Sequence, residues 1–279
     1  MEVASEVSHR GRYYALEIHG GRGMKIAILA GGQGTRLAEE TEVRPKPMVE
    51  IGGRPILWHI MRHYDHFEHS EFVIALGYKG EMIKRYFTDY HASVRSLRVH
   101  LGDGDIEVFE DGAVESWTVD LIETGRWTNT GGRVKRLMPY LDGETFVLTH
   151  GDGVNDVDIA ALLEFHRSHG RIATVTAVHP PPRFGQLVLD GDRIVEFTEK
   201  PLDTGWINGG LWVLEPEVAE YIDGDETLFE REPMQNLAKD GELMAYQHDG
   251  FWQPMDTLRD RRILSKLWDG GDPPWRIWD

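Results

Sequence analysis

Met24-Lys25-Ile26-Ala27-Ile28-Leu29-Ala30 runs straight into Gly31-Gly32-Gln33-Gly34-Thr35-Arg36-Leu37. The first part is short and mostly apolar, which reads as a buried strand. The glycines that follow have no Cβ, so their backbone N–H groups can come close to phosphate oxygens. Arg36 adds a planar fork for such oxygens, and Lys46, further on, a compact point charge. A bare glycine turn between strand and helix is more often structural than functional. Arg36 and the Pro45-Lys46-Pro47 run shift this one toward phosphate binding.

Outward from that loop the chain alternates. Residues 49–53 read as a short strand and turn. A helix then opens with Pro55 in its first turn, where proline is tolerated, and sets Ile56, Leu57, Ile60, Met61 and Tyr64 on one face. Residues 72–76 form the next strand and 80–90 the next helix. This β-loop-α-β-α order predicts an α/β chain with a mostly parallel sheet covered by helices. Three β-like stretches (97–101, 106–109 and 119–122) interrupt it and read as an inserted antiparallel element. Strands at 146–149 and 173–178 flank a helix at 158–169 that Asp158 caps. Beyond Pro180 the pattern is β-rich (187–189, 194–197, 209–214, 243–248), and a last helix runs from near Asp256 to Trp268. The whole reads as one domain with a C-terminal lobe.

Hydrophobic residues make up 41% of the 279 and charged residues 28%, an ordinary globular balance. There is no cysteine, so a disulfide framework, a thiolate zinc site and a cysteine nucleophile are excluded; this fits the cytoplasm. No apolar run approaches the ~20 residues that cross a bilayer. Residues 1–23 lack the continuous apolar segment of a signal peptide and read as a leader or tag-like extension. The net charge is 30 − 47 = −17, which argues against nucleic acid or an anionic membrane as partner. A chain this acidic needs its cations concentrated wherever it binds a polyphosphate, and the Arg36/Lys46 loop concentrates them.

Two other phosphate loops fail on single positions. The dinucleotide fingerprint counted from Gly32 needs glycine at Leu37, and the P-loop needs Lys-Ser or Lys-Thr where Thr35-Arg36 follows Gly34. What does match is Gly31-Gly32-Gln33-Gly34-Thr35-Arg36 together with Arg44-Pro45-Lys46-Pro47-Met48. This pair resembles the nucleotide-binding motif of the sugar-phosphate nucleotidyltransferases. The run from Val49 to Ile60, Gly77-Tyr78-Lys79-Gly80, Asn129-Thr130-Gly131-Gly132-Arg133, Arg183-Phe184-Gly185 and the run from Phe251 to Thr257 are similar to the branch that joins CTP to glucose 1-phosphate, the glucose-1-phosphate cytidylyltransferases. The likeness extends from Met24 nearly to Asp279. It implies a Rossmann-like fold with a sugar-binding C-terminal lobe, Mg²⁺ as cofactor, a homo-oligomer, and CDP-glucose and pyrophosphate as products. It divides the domain 24–279 into a nucleotide-binding part, 24–178, and a sugar-binding and metal part, 179–279.

The resemblance also assigns residues. Gly31, Gly32, Gly34 and Thr35 hold the phosphates, Arg36 steadies the leaving pyrophosphate, and Lys46 stabilises charge on the α-phosphate. Tyr78, Gly80, Thr130 and Gly131 line the base. Glu199 binds sugar hydroxyls, Lys200 the sugar phosphate and Asn208 the sugar. Asp152 and Asp256 are the metal carboxylates. Taken alone, Asp152 reads as a β-turn residue and Asp256 as a helix N-cap. His150 stands where this branch leads one to expect tyrosine, and Trp206 and Gln186 are also individual to this chain. His59, His63 and His66 have a spacing that could hold zinc, but fall opposite the apolar face of their helix and read as a solvated surface. Trp268, Trp275 and Trp278 read as packing on the body or on another subunit. Other nucleoside triphosphates or sugar phosphates, a non-catalytic nucleotide-sugar sensor and an NAD-dependent oxidoreductase are the competing readings; the failed dinucleotide fingerprint argues against the last.

Overall fold

The computed structural model describes residues 23–34, 37–112, 114–181, 186–198 and 205–278. Thr35, Arg36, Glu199, Lys200, the Arg183-Phe184-Gly185 motif and the leader up to residue 22 lie outside the described residues.

The chain opens with β1 (Ile26–Leu29), the short α1 (Ala38–Thr41) and the small hairpin β2 (Glu50–Ile51) and β3 (Arg54–Pro55). Then come α2 (Ile56–His66), β4 (Glu71–Leu76), α3 (Gly80–Thr88) and α4 (Tyr90–Val94). A hairpin of β5 (Leu97–His100) and β6 (Asp105–Val108) precedes β7 (Thr118–Glu123) and α5 (Thr130–Leu137). β8 (Phe146–His150), β9 (Gly153–Asn155), α6 (Ile159–His169) and β10 (Ala173–Val178) follow. The remainder is the hairpin β11 (Gln186–Asp190) and β12 (Arg193–Thr198), β13 (Ile207–Leu214), α7 (Glu232–Lys239), β14 (Leu243–His248), β15 (Trp252–Pro254) and α8 (Leu258–Asp269).

Seven strands build the central sheet in the order β14-β10-β13-β8-β1-β4-β7. β13 runs antiparallel to both its neighbours, and the other pairings are parallel. β1 shows why its sequence is apolar throughout. Ile26 and Ile28 enter a core shared with α2 and α8, while Ala27 and Leu29 enter a second core shared with α5 and α7. A strand buried on both faces has no solvent side on which to alternate.

Three expectations need correction. Residues 119–122 do not complete an antiparallel insert: β7 pairs in parallel with β4 at the edge of the central sheet, and only β5 and β6 form a separate hairpin. Likewise β13 and β14, read as parts of a C-terminal lobe, return to the central sheet, whereas β11–β12 and β9–β15 form separate two-stranded sheets. Local pattern reports strand character but not the partner, which tertiary pairing decides.

The third concerns the α2 histidines. His66 is exposed, but His59 is 0% and His63 4% exposed. α2 is covered on two sides, by the sheet and by the C-terminal segment. His59 Nε2 donates to the Ile51 carbonyl at 2.9 Å, and its ring meets Trp268, Trp275 and Trp278. His63 Nε2 donates to the Val157 carbonyl at 2.9 Å. The tryptophans therefore pack on the body of this chain, with Trp275 1% and Trp278 7% exposed.

Candidate active site

The parallel strands β1, β4 and β8 end on one edge of the sheet. Because β13 runs the other way, its start, with Asn208, Gly209 and Gly210, lies at that same edge beside the end of β8. Ligands of open α/β sheets sit at such carboxyl ends.

Two adjoining clefts occupy this edge. One of about 310 Å³ is lined by Gly31, Gly32, Gly34, Lys46, Asn129, Thr130, Arg133 and Asp152, among others. A second of about 140 Å³ is lined by Asn208, Gly209, Gly210, Trp252, Asp152 and Asp256, among others. His150 and Asp152 line both.

Asp152 and Asp256 are brought together by the short ladder β9–β15, which pairs Gly153 with Pro254 and is extended by the Met255 N–H donating to the Asp152 carbonyl at 2.8 Å. Asp256 is not the cap of the last helix. Thr257 caps α8 and forms a reciprocal capping box with Asp260, and Asp256 lines the smaller cleft. Both carboxylates meet the Lys46 ammonium, Asp152 Oδ2 at 2.7 Å and Asp256 Oδ1 at 2.6 Å. Lys46 opens a tight turn between Pro45 and Pro47 and is itself buried. Burial pulls its pKa down, but the charges and hydrogen bonds of Asp152 and Asp256 outweigh this and leave it above the ordinary lysine value.

The glycine loop is shaped from behind by Arg133, which sequence reading quoted only as part of a motif. This guanidinium is 4% exposed. It donates to the carbonyls of Gly31 at 3.0 Å and Leu76 at 2.9 Å, and to the Thr124 hydroxyl at 2.7 Å. A Cβ on Gly31 would lie 2.2 Å from it, so a side chain there would displace the arginine. Gly34 has a φ of +62°, and a Cβ would meet Thr41 at 2.7 Å. Both glycines are thus required by close approach, not merely tolerated.

The base-side expectations divide. Thr130 lines the larger cleft, and Gly131 lies one residue on in the first turn of α5. Tyr78 and Gly80 are not among the residues lining it. Tyr78 stands behind the glycine loop instead. Its N–H donates to the Gly31 carbonyl at 3.1 Å, and its hydroxyl to the Thr41 carbonyl at 3.0 Å. On the other side, Asn208 lines the smaller cleft and its Oδ1 accepts the Gly210 N–H at 2.8 Å. Trp252, whose indole N–H donates to the Gly209 carbonyl at 2.7 Å, was not anticipated as lining.

Residues 25–260 match the nucleotidyl transferase family. The chain belongs to this family. This nucleotidyl transferase is 51% identical over 258 residues to the glucose-1-phosphate cytidylyltransferase of Salmonella typhi, covering 92% of this chain and all of that one. It is 43% identical to a probable glucose-1-phosphate cytidylyltransferase of Bacillus subtilis, over 91% of this chain and all of that one. Among solved structures, HddC from Yersinia pseudotuberculosis superposes with a TM-score of 0.65 at 24% identity, over 88% of this chain and all of that one. That likeness bears on the fold, which is the expected mostly parallel α/β sheet flanked by helices.

Proposed function

We propose that this nucleotidyl transferase moves the cytidylyl group of CTP to α-D-glucose 1-phosphate, giving CDP-glucose and pyrophosphate. The observation that carries the reading is the convergence of Lys46, Asp152 and Asp256 where the two clefts meet. Identities of 51% and 43%, over the full length of a glucose-1-phosphate cytidylyltransferase and a probable one, support the choice of CTP and glucose 1-phosphate.

An oxygen of the sugar phosphate attacks the α-phosphorus of CTP in line. One P–O bond forms, and the bond to the β-phosphate bridging oxygen breaks with its electron pair leaving on pyrophosphate. The attacking oxygen is already anionic, so no general base is required, and catalysis is positioning plus charge neutralisation. Backbone N–H groups of Gly31, Gly32 and Gly34 hold the phosphates, with Thr35 and Arg36 completing the loop. Lys46 neutralises charge on the α-phosphate, Asn208 and Glu199 orient the sugar, and Lys200 its phosphate.

Asp152 and Asp256 already share one cation, the Lys46 ammonium, and offer only hard oxygen donors. That donor set fits Mg²⁺, which favours one or two carboxylates with phosphate oxygens and water. Bound there, the ion would neutralise and orient phosphate oxygens. The proposed division is a nucleotide-binding part at 24–178 and a sugar-binding and metal part at 179–279, with His150 and Asp152 of the first facing both clefts.

We further propose a cytoplasmic homo-oligomer. No helix among the described residues is long and apolar enough to cross a membrane. The hairpin β5–β6 exposes Leu97, Val99, Ile106 and Val108, a surface for a second copy of the chain. Light scattering on the wild type and on Val99→Asp tests this; a wild-type monomer refutes it. The activity itself is tested by incubation with CTP, glucose 1-phosphate and Mg²⁺ and mass detection of CDP-glucose. Absence of that product refutes the substrate pair.

A further inference from the structure

We propose that Glu230 is a positioning residue of the transfer site, fixing the His150 imidazole so that its Nδ1 faces the hexose 1-phosphate where the two clefts join. This rests on the transfer reading above. Among the described residues, only His150 and Asp152 line both clefts. Asp152 has its role with Lys46 and the metal; His150 has none yet.

The ring is held from three directions. Its Nε2 lies 3.0 Å from Glu230 Oε1. Trp212 packs edge-on at 5.2 Å. Gly210, with a φ of +75°, comes so close that a Cβ would sit 3.0 Å from Nδ1. A carboxylate only accepts, so Nε2 carries a proton and donates it. Nδ1 makes no hydrogen bond among the described residues and is turned toward the Asn208–Gly210 side, the wall of the sugar-side cleft.

Glu230 lines neither cleft. It acts at a distance by accepting two hydrogens at once. Oε1 takes the His150 N–H, and Oε2 takes the Thr130 hydroxyl at 2.6 Å. That hydroxyl in turn accepts the Phe229 N–H at 2.9 Å. One carboxylate therefore ties the end of β8, on the sugar side, to the start of α5, on the nucleotide side. A carboxamide accepts only through its oxygen and donates through its NH₂, so glutamine cannot receive a hydrogen at both terminal atoms. Glu230→Gln keeps its amide oxygen on the Thr130 hydroxyl and turns its NH₂ onto Nε2, so the imidazole loses its Nε2–H tautomer while the nucleotide side is held and hardly any volume changes.

The test has three variants, Glu230→Gln, His150→Gln and the double variant, each checked for an unchanged melting curve. Glu230→Gln is expected to raise the KM for glucose 1-phosphate about tenfold, the loss of one charge-assisted hydrogen bond. CTP binding measured by calorimetry without the sugar phosphate is expected to stay within about twofold. The double variant should be no worse than His150→Gln alone, because the two residues act as one unit. Nitrogen-15 NMR should show an Nε2–H tautomer for the resonance that His150→Gln removes, and lose it in Glu230→Gln. An unchanged KM, an equal loss of CTP affinity, additive losses, or an unchanged tautomer overturns the proposal. If the wild type turns over neither substrate, the transfer reading fails, and the NMR still decides whether Glu230 positions His150.

Discussion

Lys46 stands between the two carboxylates and offsets their mutual repulsion, and it lines the larger cleft. Replacing it removes charge stabilisation and leaves two partly buried carboxylates in mutual repulsion. Lys46→Met is expected to lower kcat by about 10²-fold or more, measured by steady-state pyrophosphate release. Near-normal turnover would remove Lys46 from the mechanism. This residue and the two aspartates were legible in the sequence because short motifs carry them. Glu230 and Arg133 were not, because their roles are made by contacts with residues far away in the chain. Arg133 could be quoted as the end of a glycine motif, but nothing local says that its guanidinium clasps the Gly31 and Leu76 carbonyls.

The α8 capping box takes the cap role that Asp256, taken alone, would fill. Thr257→Ala should therefore cost about 1 kcal/mol of stability, read in a urea titration, and disturb the adjoining Asp256. In α2 the apolar face was read correctly, and the exposure of His59 and His63 was misread for a geometric reason. Helical periodicity identifies an apolar face, but a helix covered on a second side by a tryptophan-rich tail buries part of its polar face as well.

That burial has a consequence for pH. Burial pushes His59 and His63 down to about 4 from an ordinary value of 6.5, their backbone hydrogen bonds only partly opposing it. Well above pH 6.5 both are neutral, folded or unfolded, and contribute no pH dependence. Between 6.5 and 4 the unfolded chain takes up protons that the folded chain refuses, so stability falls with pH. By pH 5 the loss is about 2 kcal/mol for each histidine. Urea titrations at pH 7 and pH 5 measure it, and His63→Gln should reduce the difference. A stability independent of pH over that range would contradict the buried neutral assignment.

Across the whole molecule, the site depends on the sheet being continuous. β1 and β8 run into the larger cleft, and β13, reversed between β8 and β10, brings Asn208 to the same edge. The alternation of strand and helix made the parallel core legible. It could not reveal that β13 and β14 rejoin the sheet, since strand partners are chosen by packing and not by propensity. A sheet of this size, with both faces packed by apolar cores, does not need a metal to fold. Chelation is therefore expected to abolish turnover while leaving the melting temperature and circular dichroism unchanged. Unfolding on chelation would mean that the carboxylate pair is structural.

The central claim is transfer of a cytidylyl group at the junction of the two clefts. It is tested most directly by pyrophosphate release from CTP, UTP, dTTP and ATP in parallel, each with glucose 1-phosphate and Mg²⁺. Release with CTP far above the other three, abolished by EDTA, is the predicted result. Release with a different nucleotide would contradict the choice of base, and no release with any of the four would contradict the transfer itself.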